Sequence, residues 1–281
     1  MLGLPVRYWL KHPLACVADL VTDPLEIWML GQDMYVENRE RRAPKCEYEV
    51  DPHWEERLHA ALGVPWPCSV ASEFWGLWSK IMKELEARGI RPGPESFKHW
   101  NDGDAGFVRA LWCLIRHRNP RKVVETGVAH GVTSRFVLEG LERNGDGHLW
   151  SVDFPPFERE LRKEVGAAVG NRFAERWSYI KGSSRRRLPK LLAHVGEIDL
   201  FIHDSLHSER NVRFELDLAW AALQPKGVVV VDDVDANWGF RSFTEQHSVH
   251  ESLICEAEPL RPDLRRPNQK GMFGIILKTH A

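Results

Sequence analysis

The chain lacks any run of about 20 apolar residues, so nothing in it suits a membrane-spanning helix. It also lacks an excess of either charge: 38 Lys and Arg stand against 40 Asp and Glu, a formal net charge of −2. That balance removes the broad basic field expected of a nucleic-acid or anionic-membrane partner. Cysteine is sparse, with five residues at Cys16, Cys46, Cys68, Cys113 and Cys255. None of them makes a C-x-x-C pair, which points to reduced intracellular thiols rather than a disulfide framework or a zinc site. There is no internal repeat and no low-complexity tract. The G-x-G-x-x-G turn of dinucleotide binders is missing too, which weakens a nicotinamide reading. At the N-terminus, Lys11, His12 and Pro13 interrupt the apolar region that a secretory signal needs, and Asp19 closes it. A cytoplasmic protein is expected.

What is present falls into two textures. Residues 1–118 hold eight of the twelve tryptophans and read as helices separated by proline-rich turns. In "SEFWGLWSKIMKELEARG", Phe74, Leu77, Trp78, Ile81 and Leu85 recur at helical spacing, with Ser72 as N-cap and Gly89 as stop. "DAGFVRALWCLIRHRNP" is a second such helix, ended by Asn119-Pro120. Ordinary core packing accounts for most of the tryptophans.

From residue 119 to 281 short β-branched runs alternate with helical patterns. "KVVET", "HLWSVD", "WSYIKG", "IDLFIHD" and "KGVVVVDD" read as strands. "TSRFVLEGLERN", "FERELRKEVGAAVG", "RRLPKLLAHVG" and "SERNVRFELDLAWAAL" read as the helices between them. A helix near 238–246, a strand near 249–255, the polar loop "EAEPLRPDLRRPNQ" and a final strand "GMFGIILK" complete the chain. Continuously apolar strands alternating with helices predict a parallel sheet covered on both faces.

The chemistry-bearing residues sit where strands end. "VVETGVAHGVTS" joins the first strand to its helix. Gly127 and Gly131 there permit a tight turn onto a helix N-terminus, either as a merely structural turn or as a seat for a nucleotide-like cofactor. Glu125 suits a cationic amino group, and Asp153, ending the second strand, suits a pair of ribose hydroxyls. Gly182 and Ser183 end the third strand, in a simple turn or beside an adenine ring. In a parallel sheet Asp204, Asp232 and Asp233 converge on one crevice, where three carboxylates repel unless protonated, hydrogen-bonded or bridged by a cation. Oxygen-only ligands suit a hard ion such as Mg²⁺, and His207 then faces the crevice as a general base. The plain alternative has Asp204 capping a helix, Asp233 starting a turn and His207 on the surface. "SSRRRLPK" and "RPDLRRPNQK" are basic but read as solvated segments.

Taken together, "ETGVAHGVTS", "HDSLHSERNV" and "VVVVDDVDAN" resemble the class I S-adenosylmethionine-dependent methyltransferases. Within them the chain is most similar to a metal-dependent O-methyltransferase group that includes the cephalosporin hydroxylase/methyltransferase-like proteins and the macrocin and mycinamicin sugar O-methyltransferases. The resemblance spans residues ~120–278. It implies a Rossmann-like, doubly wound α/β fold, with a mostly parallel seven-stranded sheet, an antiparallel last strand and an added helical N-terminal region. It assigns S-adenosylmethionine to Glu125, Gly127, His130, Gly131, Thr133, Ser134, Asp153, Gly182, Ser183 and Asp204. Mg²⁺ or another hard divalent ion goes to Asp204, Asp232 and Asp233, and catalysis to His207 with Asp204. The first acid of the strand-five pair is often glutamate in that group and is Asp232 here. The position after strand four lacks the Asp/Asn-Pro-Pro-aromatic element of nucleobase amino methylation. The implied reaction is methylation of a hydroxyl on a sugar, a glycoside or a glycosylated metabolite. A phenolic or polyketide acceptor is the rival, and a catalytically inactive cofactor-binding subunit is another. A homodimer is the expected assembly.

Overall fold

The computed structural model describes residues 24–40, 45–93, 97, 104–156, 158–249, 251–258 and 271–278. Trp9, Cys16, Trp100 and the loop after residue 258 lie outside them. Among the described residues, the N-terminal part holds the helices α1 (Pro24–Glu40), α2 (Trp54–Leu62), α3 (Ala71–Glu86) and α4 (Ala105–Arg118). The alternating part follows as β1 (Lys122–Thr126), α5 (Val132–Asn144), β2 (His148–Asp153), the short α6 (Arg159–Arg162) and β3 (Trp177–Lys181). It continues through α7 (Ser184–Val195), β4 (Ile198–His203), α8 (Glu209–Ala222), β5 (Leu223–Val231), α9 (Gly239–Gln246), β6 (Ser252–Glu256) and β7 (Met272–Leu277).

The strands form one seven-stranded sheet in the order β3-β2-β1-β4-β5-β7-β6. Pairings among β1 to β5 are parallel, while β7 runs antiparallel to both β5 and β6. The strand period of two divides the apolar residues between two covered faces. Val123, Leu200, Ile202, Val228 and Val230 turn to the face packed by α4 and α5, where Trp112 and Phe136 are buried. Val124, Phe201, Val229 and Val231 turn to the face packed by α7, α8 and α9, where Leu188, Leu216 and Phe243 are buried. Phe74, Trp78, Ile81 and Leu85 of α3 join the first cluster, so most of the helical N-terminal region shares the core of the sheet.

Three local expectations need correction. A helix over 157–170 shrinks to α6, because Gly166 and Gly170 adopt φ of 69° and 65°. Gly166 donates its N–H to Ala129 O at 2.9 Å and lies so near Trp177 that a Cβ would stand 2.6 Å from the ring. Ser72 is not the N-cap of α3; Val70 takes that place, without a side-chain cap. Neither does Asp204 cap α8: Ser208 does, its hydroxyl accepting the Asn211 N–H at 3.2 Å.

Sheet order reverses direction between β1 and β4, and that point opens a crevice at the carboxyl ends of the strands. The register is tight there. Thr126 pairs with His203, and His203 with Val231. The next residue of each strand, Gly127, Asp204 and Asp232, therefore leaves the sheet at one level. Gly127 has φ +88°, and a Cβ on it would stand 1.8 Å from the Asp204 carbonyl oxygen. Gly127→Ala is expected to lower unfolding free energy by roughly 2–5 kcal/mol, combining left-handed strain with overpacking against backbone. Urea unfolding checks this; wild-type stability would mean that the turn relaxes freely.

Candidate active site

Two carboxylates flank the glycine turn. Glu125 lies one residue before the end of β1 and is fully buried. Its register partner Ser151 and the first-turn Ser134 of α5 both donate to Oε2, at 2.6 and 2.7 Å. Oε1 is buried without a hydrogen-bond partner. Burial, and then the charge of Asp153, push the Glu125 carboxyl up to about 7. Asp153 ends β2, where Oδ1 accepts the Val128 N–H at 3.2 Å and Oδ2 the Tyr179 hydroxyl at 3.3 Å. Its carboxyl is raised to about 6 by burial. Tyr179, exposed on β3 beside Asp153, carried no signal in the sequence.

The other residues assigned to a cofactor spread around this pair. Gly131 has φ +78° and packs against Gly166, and Thr133 is half-buried in the first turn of α5. His130 is buried with Nε2 3.0 Å from Glu164 Oε2 and its ring against Phe97. Burial lowers its pKa. Gly182 has φ +136° and donates its N–H to Asp153 O at 2.9 Å. Ser183 gives its N–H to the Glu26 carboxylate of α1, and its hydroxyl is buried without a partner. A ring nitrogen at this turn would meet an N–H already held by an acid.

The acidic edge is more compact than the strand pattern implies. Asp204, His207 and Asp232 each bring one ligating atom within 4.8 Å of the other two. Asp233 joins that group through the histidine: it adopts φ +49° and accepts from His207 Nδ1, 2.9 Å from its Oδ2. His207 does not lie in a helix as expected. It sits in the loop between β4 and α8, where Asn237 Nδ2 donates to its carbonyl at 3.1 Å. With Nδ1–H given to Asp233, Nε2 carries the lone pair and stands 3.9 Å from Asp204 Oδ1. The residue that would be a third oxygen ligand thus orients the histidine, and the histidine joins the two remaining acids.

Behind this edge lies a buried network that the sequence left unassigned. Glu215 of α8 is fully buried. Thr126 Oγ1 and His203 Nδ1 lie 2.5 and 2.7 Å from its Oε2; Ser205 Oγ and Asn211 Nδ2 lie 2.8 and 2.9 Å from its Oε1. Burial alone would raise its pKa, but the charge and hydrogen bond of His203 outweigh burial and hold it well below the usual carboxylate range. The ring of His203 lies 5.5 Å from that of His207. One signal was available: Glu215 occupies the core-facing stripe of α8, between Val212, Leu216 and Ala219.

Comparison with known proteins fits this geometry. Residues 124–234 match a family model described as a methyltransferase domain. That match runs from β1 to just past β5 and takes in the glycine turn, Asp153, Asp204, His207, Asp232 and Asp233. The fold is that of the Rossmann-like methyltransferases. An O-methyltransferase from Bacillus cereus, solved with SAH, shares it at TM-score 0.50 and 13% identity, over 80% of this chain and 98% of that one. The O-methyltransferase TomG from Streptomyces achromogenes, involved in tomaymycin synthesis and solved with SAM, aligns at TM-score 0.49 and 21% identity, over 72% of this chain and 88% of that one. No curated protein matches the chain significantly. Among the described residues no helix is long and apolar enough to cross a membrane.

The buried carboxyls of this methyltransferase fold set a pH dependence. Glu125 rises from an ordinary 4.5 to about 7 in the folded chain. Between those values the folded state keeps a proton that the unfolded state has lost. The stability this contributes is full below the unfolded value and disappears as pH rises through about 7. Glu125→Gln is therefore expected to flatten the fall in unfolding free energy from about pH 5 to about pH 8, by on the order of 3 kcal/mol. Equal slopes for wild type and variant in denaturant titrations would show that Glu125 is ionised throughout.

Proposed function

We propose that the chain is an S-adenosylmethionine-dependent O-methyltransferase that uses a divalent ion, Mg²⁺ by preference, to methylate a hydroxyl of a sugar or glycosylated small molecule. The observation that carries this reading is the convergence of Asp204, His207 and Asp232 level with the Gly127 turn, with Asp233 on the far nitrogen of His207. The methyltransferase fold supplies the context.

The donor set fits both groups. For the cofactor, the turn at Gly127, the orphaned Oε1 of buried Glu125 and the carboxylate of Asp153 make a polar pocket at the ends of β1 and β2. Gly131, Thr133 and Ser134 would line its helix side, and Gly182 and Ser183 its adenine side. For the ion, Asp204 and Asp232 supply hard oxygen ligands. When bound, S-adenosylmethionine offers an electrophilic methyl group and the ion makes a neighbouring hydroxyl more acidic.

The rest falls to side chains of this chain. An alcohol attacks poorly until its proton leaves, and His207 Nε2 is the lone-pair nitrogen aimed at the acidic edge. Asp233 keeps the ring in that tautomer and favours the imidazolium once the proton arrives. The fixed level of Gly127, Asp204 and Asp232 holds acceptor and donor side by side, which is where much of the rate arises. Trp238 directly follows Asn237, which holds the His207 carbonyl; it is 39% exposed, with the Arg241 guanidinium over its ring at 5.6 Å from the centroid.

A methyl-transfer screen against glycosides, read by mass shift with and without chelator, tests this reading. Turnover is expected only with a divalent ion. His207→Ala is expected to lower turnover about 10²–10⁴-fold, with metal affinity by calorimetry near wild type. A parallel collapse of metal affinity would make His207 a ligand instead of the base. Asp233→Asn is expected to lower turnover and to move the acidic limb of the pH–rate profile downward, because the imidazolium loses its counter-charge. A limb unchanged in that variant would remove Asp233 from the proton step.

A further inference from the structure

We propose that His59, Cys68, Cys113 and His117 form a second metal site, taking a borderline-soft divalent cation such as Zn²⁺, apart from the acidic edge. The four residues come from three segments. His59 lies in α2, Cys68 in the turn that follows it, and Cys113 and His117 one helical turn apart on α4. His59, Cys68 and Cys113 are all buried, and each brings a ligating atom within 4.8 Å of the other two. The two sulfurs are 3.1 Å apart, and His117 Nε2 is 3.5 Å from Cys68 Sγ.

The chemistry of the group is that of a ligand set rather than of a packed core. Two thiols and two imidazoles are the donors of closed, four-coordinate zinc sites. His59 is prepared for the role: Nδ1 is 2.6 Å from Glu55 O, which fixes the proton on that nitrogen. Its Nε2 faces the sulfurs, buried and without a hydrogen-bond partner. A backbone carbonyl on the far nitrogen is the usual support of a metal-bound imidazole. Leaving the near nitrogen bare in the interior carries a desolvation cost that a bound ion would offset. Metal–ligand bonds of about 2.3 Å to sulfur and about 2.0 Å to nitrogen set tetrahedral edges of roughly 3.8 Å for S–S and roughly 3.5 Å for S–N. The Cys68–His117 separation already matches; the sulfurs need only a small rotation of one cysteine to open. With four protein ligands no position is left for a substrate, so the ion would be structural. It would clip α2 and the following turn to α4, the helix that leads directly into β1.

Cobalt(II) titration of the reduced, chelator-stripped full-length chain tests the site, because thiolate-to-cobalt charge transfer and intense tetrahedral ligand-field bands report sulfur ligation directly. The bands are expected to saturate at about one ion per chain and to be bleached by zinc. They should persist in Asp204→Ala/Asp232→Ala, which removes the acidic site, and vanish in Cys113→Ser. The wild-type spectrum decides the matter even if that cysteine variant fails to fold. Absence of the charge-transfer band in the wild type would overturn the proposal. So would isolation of the chain with Cys68 and Cys113 joined in a disulfide that does not reopen to bind the ion on reduction.

Discussion

The close approach of two backbones governs this molecule: residue 127 must pass the Asp204 carbonyl with no room for a Cβ. Only glycine permits it, and the consequence extends across the sheet edge. β1 and β4 stay hydrogen-bonded to their last residues, with the Asp204 N–H given to Thr126 O and the Asp232 N–H to His203 O, both at 2.9 Å. Two carboxylates that would avoid each other in solution are thereby locked at adjacent strand ends. Their mutual repulsion would be relieved by protonation, hydrogen bonding or a positive charge between them. Geometry from backbone hydrogen bonds, not side-chain preference, assembles the site.

Two buried glutamates show how the same interior treats a carboxyl in opposite ways. Glu125 has serine hydroxyls on one oxygen and nothing on the other, so burial wins and its pKa climbs. Glu215 has four donors, one of them an imidazole, and its charge is held in place. The difference follows from counting partners in a low-dielectric core. The satisfied network around Glu215 ties Thr126 of β1, His203 of β4, the Ser205 loop and Asn211 of α8 together directly beneath the acidic edge. It is the rigid floor on which His207 and Asp204 stand. The carboxyl of Glu125, one oxygen of it unsatisfied, lies one residue before Thr126.

Much of this was legible in the sequence, and the limits are physical. Runs of apolar and β-branched residues revealed the five parallel strands, most plainly β1, β4 and β5, which are buried on both faces, and less so β3 at the sheet edge. Acids at strand ends revealed which residues share the crevice. Register was not legible, since it depends on pairing between distant segments, and with it went the contact between Asp233 and His207. Glu215 was hidden in a helix whose period otherwise looks apolar. The helix expected over 157–170 failed because Gly166 is needed against Trp177, a contact no local pattern encodes. The thiol and imidazole cluster was invisible for the same reason. Its members are separated by up to 58 positions, from His59 to His117, and only the packing of α2 on α4 brings them together.

The described N-terminal helices are held in two different ways. α3 and α4 are fixed by apolar burial shared with the sheet, through Phe74, Trp78 and Trp112 against Phe136. α1 is fixed mainly by charge. Glu26 takes the Ser183 N–H at the start of α7, and Glu40 takes the Glu209 N–H at the start of α8. Asp33 and Glu26 also pair with Arg185 and Arg186, at 2.9 and 2.8 Å. Helix N-termini carry partial positive charge, so two carboxylates on one helix can bolt it across a neighbouring pair. Glu26 and Asp33 face inward beside buried Ile27, while Trp28 and Tyr35 are 61% and 65% exposed. Those bolts lie at the ends of β3 and β4, which is the rim of the same crevice. A helix held there by ion pairs can be released by a competing charge, whereas one held by a shared core cannot. Of the described N-terminal elements, α1 is thus the one whose seating rests on ion pairs and helix-end hydrogen bonds.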